Sequence, residues 1–139
     1  DGTVPPAPIA RTLGWTVEAV ERGRVTLRLG VAEYLMHGIG IVHGGVLSTL
    51  LDSAMANALL STLDTGQGCT TLQMNVNFLR SVGKQSEWVR CEGLAGHVGR
   101  RTANAEARLT DDQGRVCATA SSVYLLFAPD AAKAPHPGS

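Results

Sequence analysis

Residues 36–60, MHGIGIVHGGVLSTLLDSAMANALL, contain two histidines, four glycines and then a long apolar run interrupted by a single carboxylate, Asp52. From about Gly45 to Leu63 the run is rich in Leu, Ala and Met, poor in β-branched residues and free of Pro, which predicts a helix. Its apolar positions nearly encircle the axis, so the helix is expected to be buried on most sides. Ala54, Ala56 and Ala58 would let other backbone approach it closely. Residues 31–44, with Gly38, Gly40 and Gly44, read as the loop leading into it.

The flanking segments carry a different period. WTVEAVERGRVTLRLGV, residues 15–31, reads as two short strands around a Glu-Arg-Gly-Arg turn, with Val25, Leu27 and Leu29 alternating with Arg24, Thr26 and Arg28. After a turn at Thr65–Gly68 come four strand-like segments, CTTLQMNVNFLRS, SEWVRCEGLAGHV, RRTANAEARLTDDQG and RVCATASSVYLLF. Leu72, Met74, Val76 and Phe78 alternate with Gln73, Asn75 and Asn77, and Ala103, Ala105, Ala107 and Leu109 alternate with Asn104, Glu106 and Arg108. DDQG signals a hairpin turn between the last two. The expected order is strand, strand, long helix, then an antiparallel meander of four strands. That makes an α+β domain with the helix packed on one face of the sheet. The Pro-rich start, residues 1–11, and the tail APDAAKAPHPGS, residues 128–139, are expected to be irregular.

At 139 residues a single domain, residues 1–139, is expected, with its core at about 12–127. Twelve basic and twelve acidic side chains cancel, so charge offers no case for a nucleic acid or an anionic membrane. Neutrality also does little to keep copies apart. Cys69, Cys91 and Cys117 form no CxxC pair and no zinc-type cluster. With no charged-then-apolar leader and no membrane-length apolar run, they read as reduced thiols of a cytoplasmic protein.

Gly44 and Gly45 open the helix. The N–H groups at a helix start lack internal partners and carry partial positive charge, and glycine lets another molecule come close to them. Such a start can hold a carbonyl oxygen as it becomes an oxyanion. Asp52 lies about two turns on, where burial would raise a carboxylate's pKa and make it a better base or nucleophile. Two readings stand side by side. Asp52 does chemistry, or it bonds Ser48, Ser53 or a neighbouring strand while the glycines form a tight loop. His37 and His43 have no third ligand nearby, so no metal site is expected.

GIVHGGVLSTLLDSAMANAL resembles the signature of hotdog-fold acyl-CoA thioesterases, particularly the phenylacetyl-CoA, or PaaI-type, group. That signature is an Asn, a few residues, His-Gly-Gly, then an acid nine residues after the His; here His43-Gly44-Gly45 is followed by Asp52 at that spacing. TLQMNVNFLRSVGK resembles the family's strand after the helix, and GHVGRRTANAEARLTDDQGRVCATASSVY its last two strands. The likeness spans about residues 12–127. It implies a hotdog fold, a curved antiparallel sheet wrapped around one long helix. It also implies a homodimer or homotetramer, with active sites at the dimer interface.

By that resemblance the Gly44 N–H polarises a thioester carbonyl, and Asp52 of the neighbouring subunit is the nucleophile or the base that activates water. Thr71 sits where relatives hold a Ser or Thr that orients the water, and His43 shapes the loop and touches the thioester. Asp rather than Glu at 52 matches the PaaI-type branch. His37 stands where those relatives have Asn or Gln. It is expected to keep the orienting role and to add a pH dependence, because imidazole titrates near neutrality. Arg80, Lys84, Arg100 and Arg101 are candidates for the phosphates of coenzyme A, each with solvated turn residues as the alternative. Trp15, Trp88, Met36 and Leu35 are candidates for the acyl pocket, with core or interface as the alternative.

The implied activity is hydrolysis of an aryl or arylacetyl acyl-CoA, as in phenylacetate and other aromatic-compound catabolism. No metal or redox cofactor is implied, coenzyme A being part of the substrate. The alternative is a hotdog protein that binds acyl-CoA without catalysis. A hotdog hydratase would need a His-Asp dyad or a different His-containing loop, which the sequence lacks.

Overall fold

The computed structural model describes residues 7–128. In chain order it contains α1 (Pro8–Leu13), β1 (Thr16–Glu21), β2 (Arg24–Gly30), a 3-10 turn (Glu33–Leu35), α2 (Gly44–Leu60), β3 (Gly68–Phe78), β4 (Trp88–Val98), β5 (Thr102–Asp111) and β6 (Val116–Phe127). All six strands form one antiparallel sheet in the order β1-β2-β4-β5-β6-β3, and α2 packs against it. This is the expected hotdog arrangement.

Helix α2 is buried as its composition predicts. Leu47, Leu50, Leu51, Met55 and Leu59 are at most 3% exposed, and each such side chain contributes about 1.5–3 kcal/mol by leaving water. The sheet presents small residues to it. Ala103, Ala105 and Ala107 of β5 and Ala118, Ala120 and Ser122 of β6 are all buried. The closest approach is at Gly93 of β4, where any Cβ would run into the backbone of Ala54 and Met55. The helix stops at Leu60 rather than Leu63. Thr62 and Leu63 donate three residues back, to Leu59 and Leu60, while the Ser61 and Thr62 hydroxyls take the carbonyls of Ala58 and Leu59.

Several expectations need correction. The last four strands are not a sequential meander. Strand β3 crosses to the far edge and pairs with β6, and β4 pairs with β2 instead. Nor does β3 alternate evenly. Its register slips between Thr71 and Gln73, leaving Leu72 as an extra, unpaired residue. Beyond this bulge Met74, Val76 and Phe78 share the helix-facing side with Ser122, Ala120 and Ala118, and before it Thr71 does, opposite Tyr124. Leu72 is 56% exposed.

The start of the chain is not wholly irregular, since residues 8–13 form α1. Pro8 suits a first helical turn, and Gly14 closes the helix in the left-handed region at φ 94°. Residues 1–6 and 129–139 lie outside the described residues.

The proposed acyl-pocket residues disperse. Trp15 and Leu35 are core. Trp88 lies on the outer sheet face between Arg28 and Arg90, whose guanidinium carbons are 4.4 and 4.8 Å from its ring centre. Met36 lines a hollow beside Lys84, apart from Gly44 and Asp52. All three cysteines lie in strands and are unpaired.

Candidate active site

The chemistry-bearing residues form two groups, one at each end of the α2–β3 contact. At the helix start, His43 is the N-cap. Its Nδ1 accepts the Gly45 N–H at 2.9 Å, and its carbonyl accepts from Val46 and Leu47. The His43 N–H itself donates to the Leu35 carbonyl, so His43, Gly45 and Val46 account for three of the four amides left open at a helix start. Only the Gly44 N–H has no acceptor among the described residues. The Phe78 ring lies against Gly44, and a Cβ there would sit 3.3 Å from Phe78 Cζ.

A cavity of about 290 Å³ opens at this point, lined by His37, Ile41, Gly44, Leu47, Phe78 and Arg80 among others. The His37 and His43 rings are 6.3 Å apart, edge to face. His37 Nδ1 accepts the Ile39 N–H at 3.3 Å, so the neutral ring carries its proton on Nε2. The structure thus brings Gly44, His37, His43 and Arg80 together.

The second group surrounds Asp52, which is half-buried. Its Oδ1 accepts from the Thr71 hydroxyl at 2.8 Å and from the Tyr124 hydroxyl at 2.7 Å. Its Oδ2 has no hydrogen-bond donor among the described residues, and no Arg or Lys is paired with it. Thr71 reaches Asp52 because the bulge at Leu72 turns it to the helix side; on an unbroken strand it would share the outer face with Gln73 and Asn75. Burial, and then the neighbouring Asp52 carboxylate, push the Tyr124 phenol well above its ordinary value. Tyr124 therefore stays a donor. Burial first and the charge of Asp52 second also raise the half-buried Cys69 thiol, which keeps it protonated rather than nucleophilic.

Tyr124 is absent from the sequence-derived site. A signal for it exists: it is the one large residue in the inward series Ala118, Ala120, Ser122, Tyr124, and a buried tyrosine hydroxyl needs a partner.

The two groups are separated. Gly44 and Asp52 are eight residues apart on one helix, a rise of about 12 Å. A thioester places its carbonyl oxygen and its attacked carbon on adjacent atoms, so one chain cannot present both groups to one thioester. The cations divide in the same way. Arg80 is at the Gly44 end. Arg100 and Arg101 lie in the β4–β5 turn, at the end where Thr102 pairs with Leu125 beside Tyr124. Lys84 lines another hollow with Glu33 and Glu87. Two larger hollows, about 380 and 490 Å³, lie on the polar outer face of the sheet and contain neither Gly44 nor Asp52. Among the described residues no three His, Cys, Asp or Glu side chains group as a metal site, and no helix is long and apolar enough to cross a membrane.

Comparison with known proteins gives the family and the fold. Residues 39–118, more than half of the chain, match the family model of the thioesterase superfamily. The chain is 29% identical over 104 residues to a 1,4-dihydroxy-2-naphthoyl-CoA hydrolase of Listeria monocytogenes, covering 75% of this chain and 83% of that protein. A solved structure from Ralstonia eutropha, described as a thioesterase related to phenylacetic acid degradation, superposes with TM-score 0.81 at 29% identity, covering 89% of this chain and 93% of that one. The Escherichia coli PaaI protein of the phenylacetic acid degradation operon superposes with TM-score 0.81 at 20% identity, over 88% and 86% of the two chains, which speaks to the fold.

Proposed function

The chain belongs to the thioesterase superfamily of thioester hydrolases, and we propose that it hydrolyses an aryl or arylacetyl acyl-CoA to the free acid and coenzyme A. The observation that carries this reading is the pairing, on one helix, of a free Gly44 N–H with an Asp52 carboxylate held at one oxygen and open at the other. The first donates to a carbonyl oxygen as negative charge develops on it. The second attacks the carbonyl carbon or takes a proton from water that does. In the first case the C–S bond breaks to leave an acyl-aspartyl anhydride that one water then hydrolyses, and in the second the water oxygen bonds the acyl carbon as the C–S bond breaks; in both, one water is consumed and coenzyme A leaves as the thiol. Water is the only co-reactant, and the reaction needs no metal or redox cofactor. Thr71 orients the water from its place on Asp52, and His37 takes the position of the family amide beside the carbonyl. The aryl preference draws on the substrates that the relatives' names carry, and a cytoplasmic location goes with the same reading.

Because Gly44 and Asp52 are about 12 Å apart along the helix, each site is completed by a second copy. Strand β3 supplies the edge for it. It is the last strand of the sheet and carries exposed Leu72 and Phe78, with Leu79 just beyond. Joining two such edges about a two-fold axis runs them antiparallel, so the Gly44 end of one protomer meets the Asp52 end of its partner. Arg80 of one copy and Arg100 and Arg101 of the other then flank the same substrate and serve its phosphates.

The test is thiol release from a panel of acyl-CoAs, followed by subunit mixing. Gly44→Pro removes the N–H at a position where proline suits a helix, and Asp52→Ala removes the carboxylate. Each variant alone should be inactive. Unfolded together and refolded as a 1:1 mixture, half the dimers are hybrids with one intact site, which restores about a quarter of wild-type activity. No recovery, with hybrids present by native mass spectrometry, rules out the shared site. Binding of acyl-CoA by the wild type with no thiol released rules out catalysis in favour of a binding protein.

A further inference from the structure

We propose that Tyr124 is a positioning residue of the hydrolytic site, which with Thr71 clamps one oxygen of Asp52 so that only the other can react. The proposal rests on the thioesterase reading above and assigns a role to a residue outside the helix signature.

The geometry is specific. Thr71 and Tyr124 stand directly opposite each other on β3 and β6, and both hydroxyls converge on the same atom, Asp52 Oδ1, at 2.8 and 2.7 Å. The phenol oxygen also lies 3.0 Å from the Asp52 backbone carbonyl, so it spans the residue from main chain to side chain. Two donors on one oxygen fix the carboxylate's rotation about its Cβ–Cγ bond. An aspartate with one hydroxyl partner could still turn; with two, converging from different strands, it cannot without losing one of them.

Tyr124 is 1% exposed, so its hydroxyl has no water to replace Asp52. Titratable groups from both packed strands face Asp52, Tyr124 from β6 and Cys69 from β3. Both remain protonated, so neither adds a competing negative charge. The clamp therefore does two things. It stabilises the ionised carboxylate, and it keeps Oδ2 in the one orientation from which it can meet a thioester carbon or its attacking water. Orientation of this kind acts on the chemical step more than on substrate binding.

Tyr124→Phe deletes the hydroxyl and keeps the ring in its buried seat. With the acyl-CoA that the wild type turns over best, the expected result is a fall in kcat of about ten- to hundredfold, the worth of one hydrogen bond to a charged group, with KM changed less than about threefold. Thr71→Val should act in the same direction. The double variant should fall short of the product of the two single effects, since the donors share one oxygen.

A readout that needs no turnover is the Tyr124 hydroxyl proton. Buried and donated to a carboxylate, it should give a slowly exchanging, downfield proton resonance that Tyr124→Phe abolishes and Asp52→Asn moves. A folded Tyr124→Phe protein with wild-type kcat overturns the proposal, whatever the resonance does. A wild type that shows the resonance but hydrolyses no thioester overturns the thioesterase reading and the positioning role with it, leaving the hydrogen bond as a structural contact.

Discussion

Asp52 and Asp111 both turn partly or wholly away from solvent, and they are treated in opposite ways. Asp111, at the end of β5, is 2% exposed and satisfied on both oxygens. Its Oδ1 accepts the backbone N–H groups of Gln113 and Arg115, and its Oδ2 accepts the Arg115 guanidinium at 2.8 Å. Burial acts to raise its pKa, but the Arg115 amide and guanidinium and the Gln113 amide together outweigh burial and hold it below the usual carboxylate value. Asp52 has two neutral hydroxyls on one oxygen, no counter-ion and an open second oxygen. A carboxylate whose lone pairs and charge are all answered holds a turn together. One left half-answered, with an open oxygen and no counter-ion, is equipped for reaction.

Asp52→Ala should lower kcat by roughly a hundredfold or more while the protein melts close to wild type. A large loss of thermal stability with activity retained would reverse the assignment of the two aspartates. Thr71→Val, which keeps shape and removes one of the two donors, should cost about tenfold in kcat. Thr71→Ser should restore most of it, and failure to do so would mean the methyl group matters more than the hydroxyl.

His37→Asn should change the rate by only a few fold, within the range of one neutral hydrogen bond. The same thiol-release assay measures it, and a loss of about a hundredfold or more would give His37 a direct part in the chemical step.

Asp111→Asn should leave kcat unchanged and alter only the acid side of the stability curve. The folded-state pKa of Asp111 is depressed, so its contribution is complete above the unfolded value of about 3.9 and is lost as pH falls through the folded value. Urea midpoints measured down from pH 5 should therefore fall less steeply for the variant. Parallel curves would mean that the Arg115 pair does not report on folding.

A fifth change tests the frame that positions both carboxylates. Gly93→Ala drives a methyl group into the backbone of α2 and should cost about 1–3 kcal/mol or more. Chemical denaturation measures it, and a neutral result would show that helix and sheet can separate there without cost.

Much of this could be read in the sequence. The helix, its His43-Gly44-Gly45 start and the spacing to Asp52 follow from local rules, because helical periodicity and capping involve residues a few positions apart. The β1–β2 and β5–β6 hairpins are legible for the same reason. What could not be read is non-local. Strand β3 could have followed β4 in a meander; it lies instead beside β6, and nothing within its own residues says so. The bulge at Leu72 inverts which residues face the helix, bringing in Thr71 and sending Leu72 out, since one extra residue reverses a period of two. Thr71 meets Tyr124 at Asp52 because that register sets the two opposite each other. Short-range spacing tells which groups this protein owns. The packing of α2 on the sheet, which unites residues 72 positions apart, and the pairing of β3 with β6 decided which of those groups meet.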